Sequence, residues 1–216
     1  ERNKLRHEIL EGLKFVWGNK IIRAVSFTTS TSNLFSTAQF TLIPLVLLRD
    51  QNISPAVYGL IASISAVGGL LGAVTAARLS KWIGEGQVIA VSAVVMGMTA
   101  FAPAIAASSN QMTAIVIYAI GQFVGSFTVL TYNITQVSAR QRLCPEHLLG
   151  RMNASIRFFV WGVMPIGALL AGVTATAYGI QLVMWVCAVG VFLSAGFVVF
   201  SPLSRMKKLP DADHHA

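Results

Sequence analysis

Six long hydrophobic runs divide the chain, and short polar segments separate them. The runs begin near Ala24, Ala56, Gln87, Met112, Met152 and Leu182, and each extends for about 20 residues. An α-helix of that length crosses the hydrocarbon core of a bilayer, which is about 30 Å thick. The pattern therefore predicts an all-α polytopic membrane protein with six transmembrane helices in a lipid bilayer.

The first and fourth runs carry polar side chains at helical spacing. In the first run, steps of three or four residues place one set on a single helix face, namely Ser26, Ser30, Asn33 and Thr37. Beside this set runs a second line, Thr29, Asn33, Ser36 and Phe40. In the fourth run, the corresponding stripe is Gln122, Ser126, Asn133 and Gln136.

These stripes predict contact with protein or with a water-filled cavity, because polar groups are costly in lipid. The amides, including Gln39, favour the cavity since each has four hydrogen-bonding sites to satisfy. The four-residue stripe of the first run and that of the fourth are therefore candidates for a substrate cavity. Close helix packing through small polar residues is the alternative interpretation.

The six runs fall into two groups of three with matching polarity. The third and sixth runs are almost entirely apolar, as expected of outer supporting helices, whereas the first and fourth are the polar ones. This equivalence predicts a 3+3 inverted repeat with a binding site at the repeat interface.

Basic residues mark one side of the membrane. Of the sixteen Lys and Arg residues, all except Arg49 fall in the N-terminal arm, the second and fourth loops with the adjoining helix ends, or the tail. The positive-inside rule makes these segments cytoplasmic, with both termini inside. The expected organisation is a cytoplasmic linker helix over residues 1–20, a six-helix domain over 21–204 and a tail over 205–216.

The composition and charge exclude several other functions. The net charge of +8 is explained by loops that face anionic headgroups, so no nucleic acid is expected. No catalytic motif is found, His214 and His215 form no expected metal site, and we expect neither an enzyme nor a cofactor. All eight acidic residues lie outside the middles of the spans. The chain therefore lacks the intramembrane acid that proton coupling usually needs.

Proline and glycine lie where a helix could bend. Pro44 is near the end of the first span, and a segment that contains Gly162, Pro165 and Gly167 is expected to interrupt the fifth. Each site is a candidate hinge or a static bend. Arg23 and Arg157 lie where spans begin, and each either extends to the interface or pairs with a partner carboxylate.

Three segments carry a family resemblance. The arm, Glu8-Ile-x-Glu11-Gly12-Leu-x-Phe15-Val16-Trp17, has the pattern of an amphipathic surface helix. It resembles the segment before the seventh helix of major facilitator exporters, in the branch of the enterobactin and macrolide efflux proteins. Two loops also match, one with Gly72 and Arg78-Leu-Ser-Lys81, the other from Arg140-Gln141-x-x-x-Pro145 to Gly150-Arg151. The gating candidates are Arg78, Lys81, Arg140 and Arg151.

The resemblance implies that the chain is helices seven to twelve of a twelve-helix exporter. Its partners would be an N-terminal six-helix half of the same transporter, a small-molecule substrate and a proton. It implies proton-coupled export, across the plasma membrane, of a drug, a macrolide-like antibiotic or a siderophore, with the coupling acids in the other half. An uncoupled solute facilitator and a stand-alone six-helix scaffold subunit are the alternatives.

Overall fold

Six helices in the described part of the chain are long and apolar enough to cross a membrane, which confirms the predicted all-α architecture. The computed structural model describes residues 14–207. The helices are α1 Lys20–Pro44, α2 Pro55–Ile83, α3 Glu85–Thr99 with Phe101–Ala107, α4 Gln111–Leu143, α5 Leu149–Tyr178 and α6 Ile180–Ser194 with Gly196–Val199. Most of the predicted linker helix and of the tail lies outside the described residues, although residues 14–18 are helical.

Successive helices run in opposite directions, so the connections alternate between two ends of the bundle. We call one end the basic end, since Arg23, Lys81, Arg140 and Arg157 lie there. The connections α2–α3 and α4–α5 are at this end. The connections α1–α2, α3–α4 and α5–α6 form the neutral end, where Arg49 is the single cation among the described residues.

Polar side chains start several of these helices by pairing with backbone N–H groups that have no intrahelical acceptor. Asn19 accepts from the N–H of Ile21 and of Ile22 at 3.0 and 3.2 Å, at the start of α1. Asn110 accepts from the N–H of Thr113 at 3.0 Å and begins α4. Such caps fix where a helix begins, because its first turn leaves donors unpaired.

The two halves of the bundle repeat the same backbone features at the same interval. Gly84 joins α2 to α3 with φ +97°, and Gly179 joins α5 to α6 with φ +86°, 95 residues later. The helical breaks in α3 and α6 fall at Ala100 and Ala195, which are separated by the same interval. A positive φ favours glycine at both turns. The 3+3 repeat that polarity predicted is therefore visible in the backbone.

Helix packing follows this repeat. The most extensive interfaces join α2 to α4 and α5 to α1, and α3 packs on α4 as α6 packs on α1. Helices α3 and α6 also contact each other. Exchanging the first three helices with the last three leaves the pattern unchanged, as a pseudo-two-fold axis requires.

Glycines allow the two main helix crossings to be close. A Cβ atom on Gly72 would lie 2.2 Å from the carbonyl oxygen of Phe127, and one on Gly167 would lie 2.3 Å from that of Leu34. These two glycines are again 95 residues apart. Small residues at such crossings bring helix backbones together in membranes, where lipid provides no hydrophobic driving force.

The predicted interruption of the fifth span is wrong. Helix α5 is continuous from Leu149 to Tyr178 and contains Pro165. Proline removes one intrahelical hydrogen bond, but a membrane helix continues where its neighbours support it. Gly162 borders open space, whereas Gly167 is a packing glycine. Pro44 precedes a π-helical turn, Leu45–Asp50, so the end of α1 departs from α-helical geometry.

Replacing Gly72 by alanine should destabilise the bundle, since the new methyl group meets backbone that cannot move aside without separating α2 from α4. We expect a loss of about 1–3 kcal/mol. The measurement is the melting temperature of the purified protein in detergent. Gly172→Ala is the control, because a Cβ atom there contacts nothing within 4 Å. Equal melting temperatures for the two variants would contradict the close crossing.

Candidate functional site

A cavity of about 420 Å³ lies between α1, α2, α3 and α4, in the half of the bundle nearer the neutral end. Hydroxyl and amide side chains form part of its wall, and aliphatic and aromatic side chains form the rest. The lining includes Ser36, Gln39, Phe40, Tyr58, Ser65, Met96, Thr99, Tyr118, Gln122 and Ser126. This mixture of apolar surface and a few polar groups is typical of small-molecule sites.

Gln39 connects three helices at the cavity wall. Its amide nitrogen donates to the carbonyl oxygen of Ala100 in α3 at 2.9 Å and to that of Met184 in α6 at 3.3 Å. The side chain is 4% exposed, so these bonds form in a nearly dry environment. Ala100 is the break in α3, where the backbone departs from regular α-helical hydrogen bonding. Gln39 thus supports an irregular backbone next to the cavity.

Two of the predicted cavity residues on α4 lie in this cavity wall. Gln122 and Ser126 both line it, and the hydroxyl of Ser126 lies 2.5 Å from that of Ser65 in α2. Gly121, beside Gln122, is also in the wall and packs on α3, since a Cβ atom on Gly121 would lie 2.3 Å from the Cβ of Ala102. The periodicity of α4 thus placed Gln122 and Ser126 together on the face that lines this cavity.

The predicted stripe on α1 faces α5, not this cavity. Asn33 donates from its amide nitrogen to the carbonyl oxygen of Val160 in α5 at 3.1 Å. Ser26 and Ser30 line a separate groove of about 250 Å³, which Phe159 and Val163 of α5 also line. Thr37 is half-buried and lies outside both cavities.

Two residues of the second polar line of α1 face the cavity. Ser36 and Phe40 are in its wall. Thr29, about two helical turns from Ser36 toward the basic end, has its hydroxyl oxygen 3.0 Å from that of Tyr132 in α4. The cavity-facing residues of α1 were therefore visible in the sequence, but periodicity alone did not show which of the two lines faced α4.

The remaining predicted residues on α4 lie nearer the basic end. The amide nitrogen of Gln136 is 3.5 Å from Oδ1 of Asn133, and Oε1 of Gln136 is buried with no hydrogen-bond partner among the described residues. Arg140 follows one turn later and is half-buried.

The predicted gating residues occupy different environments at the basic end. Arg78 and Lys81 are exposed, whereas Arg151 is half-buried. Lys81 borders a second cavity, of about 540 Å³, formed by α2, α3, α4 and Lys207. An ion pair that the sequence did not indicate joins Arg142, at the end of α4, to Glu85, at the start of α3. It ties the two helices together beside the second cavity.

Comparison with known proteins gives a match over almost the whole chain. Residues 1–215 match the family described as "Transmembrane secretion effector". A curated relative, "Multidrug efflux pump Tap" of Mycolicibacterium fortuitum, is 26% identical over 202 residues. That alignment covers 91% of this chain and 46% of the relative, so the chain spans about half the length of the protein that it matches. No solved structure gives a significant match.

Gln39→Leu should destabilise the bundle by about 1–2 kcal/mol, because the carbonyl oxygens of Ala100 and Met184 lose their side-chain donor. The measurement is thermal melting in detergent. Gln181→Leu provides a matched control, since Gln181 is exposed and donates to the hydroxyl of Ser108 at the surface. A Gln39 variant that melts with the wild type would show that these bonds contribute nothing to stability.

Proposed function

Because the chain belongs to the transmembrane secretion effector family of the major facilitator superfamily, we propose that it is one six-helix half of an efflux transporter. The observation that carries this proposal is the cavity of about 420 Å³, which has Gln122 and Ser126 in its wall. The chain that holds this cavity aligns with 46% of the length of a related efflux pump. The cargo would be a bulky amphiphilic compound, such as a drug, a macrolide-like antibiotic or a siderophore.

A second six-helix half is the partner that best fits the exposed surfaces. Phe40 lines the cavity and is nevertheless 63% exposed, which places its ring at an open face of this bundle. Polar groups on the same face of α1 and α4 need a protein or water environment, because lipid leaves an amide unpaired. In major facilitator transporters, substrate sites lie between repeats near the bilayer midplane. A preceding half would complete the wall of the site.

Proton antiport is proposed with the coupling acids in that other half. Within residues 14–207, the carboxylates are Asp50, Glu85 and Glu146, and each lies at a helix end or in a connection. A group that carries a proton through the membrane is usually an intramembrane Asp, Glu or His. The cavity residues described above would then contact the cargo and leave proton transfer to the other half.

The proposed location is the plasma membrane, with the basic end and both termini in the cytoplasm. The distribution of Lys and Arg between the two ends supports this orientation, since cytoplasmic loops are enriched in these residues.

Cysteine labelling in intact cells tests the orientation. Ser108→Cys, at the neutral end, should react with an impermeant maleimide from outside, and Arg205→Cys should react only after the membrane is opened. Both positions are accessible, as Ser108 and Arg205 are exposed. Cys144 and Cys187 are replaced by alanine beforehand; both are buried, and burial raises the pKa of the Cys144 thiol. Labelling of Arg205→Cys from outside would reverse the proposed topology.

Transport assays of the complete transporter in membrane vesicles test the function. Gln122→Leu should lower export of an amphiphilic drug about tenfold. This factor corresponds to a loss of about 1.4 kcal/mol of interaction free energy between the protein and the drug. Gln181→Leu, an amide substitution outside the cavity, should leave export unchanged. A protonophore should abolish export by the wild type. Export that survives the protonophore would favour an uncoupled facilitator, and absence of any export would favour a scaffold subunit.

A further inference from the structure

The second cavity, of about 540 Å³ at the basic end, is lined by two lysines from distant parts of the chain. Lys81 lies in the last turn of α2, and Lys207 follows the short helical turn Pro202–Arg205. Glu85 is the one carboxylate among the described lining residues, and it pairs with Arg142. Among those residues, the two lysines therefore give the cavity a positive charge that no carboxylate balances.

Backbone contacts hold Lys207 at this cavity. The N–H of Glu85 donates to the carbonyl oxygen of Lys207 at 3.3 Å. A Cβ atom on Gly84 would lie 2.7 Å from the Cα of Lys207, and one on Gly86 would lie 2.0 Å from the carbonyl oxygen of Leu203. Leu203 is fully buried, so the segment that leads to Lys207 is packed firmly on the turn between α2 and α3. Two like charges at one cavity repel each other, and an anion bound there would relieve that repulsion.

The rest of the lining suits a phosphate ester that is attached to a hydrocarbon. Hydroxyl groups of Ser80, Thr135 and Ser138 contribute to the wall, and those of Ser80 and Thr135 are 3.3 Å apart. Hydroxyl and ammonium groups are donors, and phosphate oxygens are strong acceptors. Ala77 and Ile134 supply apolar surface in the same cavity. The cavity therefore presents donors and positive charge beside a surface that favours hydrocarbon.

The position of the cavity on α2 corresponds to the headgroup level of a bilayer. Trp82 lines the cavity and is 90% exposed, and tryptophan is enriched where membrane meets water. From Ala77, an exposed apolar line continues away from the basic end through Val74, Leu70 and Val67, at steps of three or four residues. An acyl chain on this line would have its phosphate at the cavity.

We propose that the second cavity binds the phosphate of an anionic phospholipid from the leaflet at the basic end. Lys81 and Lys207 contact the phosphate oxygens, Ser138 donates to them, and an acyl chain follows the exposed line of α2. Basic pockets between membrane helices bind acidic headgroups in this way. A zwitterionic lipid binds more weakly, because its own ammonium group already balances its phosphate. This lipid site is separate from the cavity of about 420 Å³ and does not depend on transport.

Lipid titrations of the 216-residue chain in a neutral detergent test the proposal, with native mass spectrometry to count bound lipids. Phosphatidylglycerol should bind more tightly than phosphatidylcholine. Lys81→Gln combined with Lys207→Gln should lower the affinity for phosphatidylglycerol about tenfold or more and change that for phosphatidylcholine little. The control is Lys14→Gln combined with Lys20→Gln, which removes the same charge from two exposed lysines outside the cavity. Equal losses for the two pairs would overturn the proposal, because the attraction would then be general.

Two further measurements separate a lipid in the cavity from other phosphate binding. Ser138→Phe keeps both lysines and fills part of the cavity, so it should lower the affinity for phosphatidylglycerol; an unchanged affinity would place the lipid elsewhere. Glycerol phosphate carries the same phosphate without acyl chains, and it should compete only at much higher concentration. Competition in the concentration range of the lipid would assign the cavity to a soluble phosphate ester instead.

A protein segment in the cavity is the alternative occupant, and it gives different results. Asp211 and Asp213 follow in the sequence, outside the described residues. Phosphatidylglycerol binding that appeared only after both were changed to Asn would overturn the proposal, since the chain's own tail would fill the cavity. Binding by this chain but not by the complete transporter would overturn it too, because the preceding half would cover the cavity. An absence of export with lipid binding intact would overturn the proposed function alone.

Discussion

Close backbone contact at two glycine crossings is the constraint on which the rest of this bundle depends. In lipid, apolar side chains gain nothing by leaving one apolar environment for another, so helices associate through tight packing and interhelical hydrogen bonds. Gly72 brings α2 against the backbone of α4, and Gly167 brings α5 against that of α1. The helices that these crossings fix, α1 and α4, carry the polar faces. The position of the cavity is therefore a consequence of where glycine allows two pairs of helices to meet.

Polar side chains within this framework divide into those that are satisfied and those that are not. Gln39 is buried and uses its amide nitrogen to hold α3 and α6 on α1. Gln136 is equally buried, but its oxygen accepts no hydrogen bond from the described residues. Within residues 14–207, the first kind marks contacts internal to the bundle. The exposed ring of Phe40, by contrast, lies at the open side of the cavity.

Much of the fold could be predicted from the sequence, because the length of each hydrophobic run depends on one helix alone. The distribution of Lys and Arg over the connections can likewise be read directly from the sequence. On α4, the stripe that concentrates the amides places Gln122 and Ser126 at the cavity wall, whereas Asn133 and Gln136 lie outside it. On α1, two polar lines lie side by side, and periodicity does not show which neighbour each line meets, so the sequence did not reveal that the stripe with Ser26 faces α5. The segment around Pro165 was expected to break α5, yet packing on α1 keeps that helix continuous. The breaks at Ala100 and Ala195 have no strong local signal, because alanine is a good helix former.

The position of Gln39 links the cavity to the attachment of α3 and α6 on α1. The same side chain lines the cavity and bonds to the break of α3 and to the first turns of α6. A compound in the cavity that competed for the Gln39 amide would weaken the attachment of both segments, and movement of those segments would alter the affinity for that compound. By thermodynamic reciprocity the two effects are equal in free energy. One amide would thus couple the occupancy of the cavity to the packing of the helices that form its wall.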